Sequence, residues 1–123
     1  VDRADDESHS VDAAGYTLRL TGGTLHEGGV TAQAIFPTEF VGFQGHFPSG
    51  ALLPGFMHVQ VAIDTLRASG TPGELREIST GKFTAPILPN VPVTISIQRD
   101  GDHYTATLHT NSIPCSTFTF SLA

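Results

Sequence analysis

Two groups of residues in this chain could do chemistry. Gly45-His46-Phe47-Pro48 sets an imidazole on a loop bounded by glycine and proline, just ahead of Leu53-Pro54-Gly55 and an apolar run over residues 56–66. The first turn of a helix has backbone N–H groups with no intrahelical acceptor, at the positive end of the helix dipole, so it can hold a developing oxyanion. A neutral imidazole beside it can take a proton near pH 7. The second group is Gln60 and Asp64, four positions apart within the apolar run. On a helix such a pair shares one face, about 6 Å apart along the axis. An amide donates or accepts a hydrogen bond but transfers no proton, whereas a carboxylate can supply an acid or orient a water. The plainer role for Asp64 is a cap or an ion pair with Arg67 three residues on.

These residues need elements to hold them. Residues 16–20 alternate and read as a strand, Thr21-Gly22-Gly23 as a turn, and residues 30–36 as a second strand. Pro37 and the glycines up to Gly55 mark a long loop. Residues 56–70 are apolar on nearly all sides, which predicts a buried helix of about 14 residues rather than an amphipathic one. Pro54 suits its first turn, Gly70 its C-terminal cap, and Arg67 the negative end of its dipole. Strands are predicted over residues 74–84, 91–99, 103–110 and 115–122, with Asp100-Gly101-Asp102 as a hairpin turn. Two strands, one helix and four more strands predict an α+β fold, an antiparallel sheet of about six strands wrapped around one central helix.

Composition narrows the function. The chain has 123 residues and a formal net charge of −6. The acids concentrate at the start, where Asp2, Asp5, Asp6, Glu7 and Asp12 face Arg3 alone. Residues 1–14 therefore read as an acidic flexible tail and residues 15–123 as a single domain. The body carries only Arg19, Arg67, Arg76, Lys82 and Arg99 as fixed cations, too few for a nucleic-acid face. No apolar run is long enough to span a membrane, and the acidic start does not look like a secretory signal, which points to the cytoplasm. Cys115 is the one cysteine, so there is no intrachain disulfide or zinc–cysteine cluster, and its alternating surroundings favour a strand position over a nucleophile. His9, His26, His103 and His109 lack metal-ligand spacing, and His58 points to a different helix face from Gln60. No metal is expected.

The segment Phe43-Gln44-Gly45-His46-Phe47-Pro48-Ser49-Gly50-Ala51-Leu52-Leu53-Pro54-Gly55-Phe56-Met57 resembles the hotdog-fold 3-hydroxyacyl-(acyl carrier protein) dehydratases of the FabZ/FabA type. So does Gly81-Lys82-Phe83-Thr84-Ala85-Pro86-Ile87-Leu88-Pro89-Asn90. With the element order, the resemblance spans roughly residues 16–122; the family's usual N-terminal Pro-His-Arg segment is missing. It implies a homodimer, or a trimer of dimers, with each active site at a subunit interface. The substrate would be an acyl thioester on acyl carrier protein or coenzyme A, and no cofactor is needed. His46 would be the base that takes the C2 proton, the Gly55 N–H would polarise the thioester carbonyl, and Phe47 and Pro48 would brace the histidine. Phe43, Pro54 and Phe56, with Phe36 and Phe40, would line an acyl tunnel, although core packing explains phenylalanines equally well. The family's helix acid falls at Gln60, and its frequent glutamine at Asp64, so carboxylate and amide have exchanged places.

Three functions follow from these features. The first is dehydration of 3-hydroxyacyl thioesters to trans-2-enoyl thioesters, or the reverse hydration, in fatty-acid or polyketide-like metabolism. The second is an acyl-binding or scaffold subunit impaired by the loss of the acid at Gln60. The third is a hotdog thioesterase in which Asp64 activates water. Arg67, Arg76 and Lys82 are candidates for docking an acidic carrier protein.

Overall fold

The computed structural model describes residues 15–24, 28–38 and 55–123. Alternation builds its sheet. Strands β1 (Thr17–Thr24) and β2 (Gly29–Ile35) precede helix α1 (Gly55–Ala68), and β3 (Leu75–Phe83), β4 (Val93–Asp100), β5 (His103–Thr110) and β6 (Ile113–Leu122) follow it. The spatial order is β1-β2-β4-β5-β6-β3, with every neighbouring pair antiparallel. Facing positions share one side of a sheet, so the register decides what a row contains. Here Ala32 faces Ile95, which faces Leu108; Val30 faces Ile97, which faces Ala106, which faces Phe118. All of these are buried, and the rows form a continuous apolar floor.

Helix α1 lies against that floor, in contact with β1 and β4. Val61, Ala62 and Leu66 are fully buried beneath it. The helix stops as the sequence predicts. Gly70 takes a positive φ of 98°, the Gly70 N–H bonds to the Arg67 carbonyl (3.0 Å) and the Thr71 N–H to the Leu66 carbonyl (2.8 Å). This is a Schellman cap, which favours a residue without Cβ at that position. Among the described residues no helix is long and apolar enough to cross a membrane.

Two expectations need correction. Thr21-Gly22-Gly23 is not a turn but part of β1, where the pairing shifts register between Leu20 and Gly22. Glycine marks the irregularity: a Cβ on Gly23 (φ 72°) would lie 2.4 Å from the Gly29 carbonyl oxygen. Nor is α1 buried all round. Phe56 is 68% exposed, Arg67 is exposed and Gln60 is half-buried, so one stripe of the helix is open. Cys115 is a buried residue of β6, consistent with a strand position.

Candidate functional site

The open stripe of α1 forms one wall of a groove. Phe56, Val59, Gln60, Ile63 and Arg67 recur at helical spacing along it, and Glu74, just ahead of β3, with Leu75 and Ile78 from its start, forms the opposite wall. The groove encloses about 400 Å³. Three of its apolar members are open for their type, Phe56 at 68%, Leu75 at 41% and Ile78 at 42% exposed, while Val59 and Ile63 form its buried floor. Every residue of β3 is exposed, and β3 pairs only with β6 among the described residues. A contiguous apolar patch beside an open sheet edge is the surface that another molecule covers.

A polar cluster stands at the groove wall. Gln60 Nε2 donates to Asp64 Oδ1 at 2.9 Å. The Tyr16 hydroxyl, arriving just ahead of β1, donates to Asp64 Oδ2 at 2.5 Å. The Arg67 guanidinium lies 3.6 Å from Asp64 Oδ1, forming the i,i+3 ion pair, and also donates to the Gly73 carbonyl at 3.3 Å. All three partners of the carboxylate are thus donors, from two turns of α1 and from the strand side. Tyr16 is only 2% exposed and stacks on Phe36 with ring centroids 4.4 Å apart. Burial, then the hydrogen bond to Asp64, then its negative charge push the tyrosine hydroxyl well above its ordinary range.

His58 belongs to another environment. It is buried, its Nδ1 lies 2.8 Å from Ser116 Oγ on β6, and its ring meets the edge of Phe83 at 5.3 Å. Phe83 in turn stacks on Phe118 and flanks the start of α1, 3.8 Å from where a Cβ on Gly55 would sit. His103 and His109 lie on β5. Among the described residues no three His, Cys, Asp or Glu side chains gather so as to hold a metal ion.

The structure therefore brings Gln60 and Asp64 into direct contact, sets Phe56 at the groove, and makes Gly55 the first residue of α1. Phe36 is a core residue. His46, Phe40, Phe43, Phe47, Pro48 and Pro54 lie outside the described residues, as do His9 and His26. Of the proposed docking cations, Arg67 borders the groove and Arg76 a separate polar recess shared with Arg99, Asp102 and Tyr104. Sequence reading missed Tyr16 and the wall formed by Leu75 and Ile78. Tyr16 meets Asp64 across 48 positions of chain, and a tyrosine opening a strand carries no local sign of such a partner.

The fold is the hotdog fold, a sheet wrapped round one helix. The ApeI dehydratase family model, ApeI-like, matches residues 24–118, and the chain belongs to that family of dehydratases. Solved structures agree on the architecture. The dehydratase heterocomplex ApeI:P from Xenorhabdus doucetiae superposes with a TM-score of 0.75 at 19% identity, covering 85% of this chain and 94% of that one. The PaaI protein of the E. coli phenylacetic acid degradation operon gives 0.63 at 12% identity, covering 84% and 79%. A hypothetical thioesterase from Streptococcus pneumoniae, solved with coenzyme A, gives 0.57 at 11%, covering 86% and 88%. No curated protein matches the sequence.

Proposed function

We propose that the protein interconverts 3-hydroxyacyl and trans-2-enoyl thioesters, with the acyl chain in the groove between α1 and β3. The observation that carries this reading is the groove itself: apolar residues on both walls, with the Gln60 cluster on one wall and Glu74 on the other, in a chain of the dehydratase family. An acyl chain suits Phe56, Val59, Ile63, Leu75 and Ile78, and a hydroxyl needs a polar group at one point along it.

In the dehydration direction His46 takes the C2 proton, and the Gly55 N–H holds the charge that gathers on the thioester oxygen. The C2=C3 bond forms as the C3–O bond breaks. The proton now on the imidazolium passes to the departing hydroxide, so water leaves with no carboxylic acid at position 60. The FabZ/FabA-type resemblance supports these roles for His46 and Gly55. The thioester is carried by acyl carrier protein or coenzyme A. A second subunit, paired along the open edge of β3, would extend the sheet and roof the groove, giving the homodimer of the family reading.

The test offers a 3-hydroxyacyl thioester and, separately, a saturated one. The expected result is enoyl product from the first and free thiol from neither, with His46→Ala slower by about 10²- to 10⁴-fold. Free thiol from both would replace this reading with hydrolysis, the activity named for several structural neighbours. No product from either would leave an acyl-binding or scaffold subunit, a reading favoured by Gln60 and by the heterocomplex formed by the Xenorhabdus dehydratase.

A further inference from the structure

Gln60 lines the groove and Asp64 does not. Asp64 stands behind it, with Tyr16 donating to one oxygen, and Gln60 and Arg67 directed at the other. This arrangement decides which way the Gln60 amide faces. An ionised carboxylate only accepts hydrogen bonds, so the amide nitrogen must be the atom 2.9 Å from Asp64 Oδ1. The flipped amide would set two acceptor oxygens against each other at that distance. The Gln60 carbonyl Oε1 is thereby turned away from Asp64, and among the described residues it has no other hydrogen-bond partner.

We infer that Asp64 is a positioning residue that acts through Gln60, fixing its amide so that Oε1 faces the groove as an acceptor for the hydroxyl of a 3-hydroxyacyl chain. The inference rests on the acyl-thioester reading above and adds to it the group that distinguishes a hydroxylated chain from a saturated one. It also assigns the exchanged amide and carboxylate separate tasks. Position 60 touches substrate and transfers no proton. Position 64 never reaches substrate and keeps position 60 in one orientation. An unheld glutamine could present either its N–H₂ or its oxygen, and a hydroxyl that both donates and accepts would meet both without preference. Held by Asp64, the side chain offers a fixed acceptor, and a saturated chain leaves that acceptor dry and unpaired.

The experiment measures binding of 3-hydroxyoctanoyl- and octanoyl-N-acetylcysteamine to wild type, Asp64→Asn, Gln60→Met and the double variant, with enoyl formation followed in parallel. Wild type should prefer the hydroxylated thioester by about fivefold, the worth of one neutral hydrogen bond. Asp64→Asn and Gln60→Met should each abolish the preference, and the double variant should lose no more than either, because the two act as one unit. The saturated thioester should bind all four alike. Additive losses, or a preference retained in Asp64→Asn, overturn the inference. So does a 10²- to 10⁴-fold fall in turnover confined to Asp64→Asn, which would make Asp64 the acid. Tyr16→Phe provides a variant that keeps its ring on Phe36; it should weaken the preference in part, and a preference equal to wild type in a folded Tyr16→Phe and a folded Arg67→Gln counts against the inference. Failure of the reaction reads out separately: no enoyl product with a retained hydroxyl preference removes the proposed catalysis and leaves the role of Asp64 standing.

Discussion

Helix α1 has two faces, and each holds a polar cluster in a different way. On the core face His58 pairs with Ser116, and Thr65 donates to the Val61 carbonyl one turn back at 2.8 Å. His58, Thr65 and Ser116 are themselves buried, and the side chains around them, Val61, Ala62 and Leu66, are sealed from water. On the groove face the cluster draws on Tyr16 ahead of β1 and on Gln60, Asp64 and Arg67, each about one helical turn from the next, and Arg67 and the neighbouring Phe56 remain open. A core cluster needs only to be satisfied, because any unpaired buried group is costly. A cluster that meets a ligand must be held rigidly from behind while one atom in front stays unspent, and Gln60 Oε1 is that atom. The same fourteen-residue helix therefore packs with one side and presents chemistry with the other.

If the faces differ in this way, substitutions should separate them. The largest effect belongs to the core. Leu66 is fully buried over the sheet, so Leu66→Ala removes its transfer energy and leaves a cavity, costing about 2–5 kcal/mol. Urea unfolding should show the midpoint falling with an unchanged slope. A loss below about 1 kcal/mol would mean that the helix is not seated on the sheet where it meets β1 and β4.

Tyr16→Phe comes next and tests the link between the faces. It keeps the stack on Phe36 and removes the donor to Asp64, so it should cost about 1.5–3 kcal/mol at neutral pH, the range for a hydrogen bond to a charged group. The cost should depend on pH in one direction. The tyrosine's folded pKa is raised, by burial first, so above the unfolded value of about 10 the unfolded chain binds fewer protons than the native one. The wild-type contribution is full below that pH and declines above it, by about 1.4 kcal/mol per unit. The gap between wild type and Tyr16→Phe should narrow as pH rises past 10. A gap that stays constant from pH 8 to 11 would show that the hydroxyl is not held in the folded protein as described.

Much of this architecture was legible in the chain because its signals are local. The alternation of residues 30–36 and 91–99, the Gly70 cap and the Gly101 hairpin each announce an element within a few residues, and each element is present. The glycines of β1 misled for the same reason: Gly22 and Gly23 look like a turn until the pairing with β2 absorbs them into a bulged strand. The apolar run of α1 foretold burial, but hydrophobicity cannot say which apolar residue lacks a neighbour. Phe56 and Ile63 are both apolar, yet only Phe56 is exposed, because the side on which β3 leaves the helix open is a tertiary fact. The candidate site was half readable. Spacing alone put Gln60 and Asp64 on one face, whereas the Tyr16 hydroxyl, the wall of Leu75 and Ile78 and the orientation of the amide all depend on chain segments far away.

The smallest effect on the folded subunit, and the sharpest separation of the two faces, should come from Phe56→Ser. At 68% exposure the ring contributes little burial within its own subunit, so the change should move that subunit's stability by no more than about 0.5 kcal/mol. Its consequence should appear between subunits instead. If a second copy pairs along β3 and roofs the groove, Phe56, Leu75 and Ile78 become its buried centre, where an aromatic anchor is worth more than its neighbours. Association stabilises the native state by mass action, so the wild-type melting temperature should climb with protein concentration. For Phe56→Ser that climb should flatten, with the two proteins converging at the lowest concentration and sedimentation showing a weaker dimer. A variant that melts early at every concentration would place Phe56 in the subunit's own core and erase the distinction between the faces. One that dimerises like wild type would move the interface elsewhere and leave the groove open to its ligand from solvent.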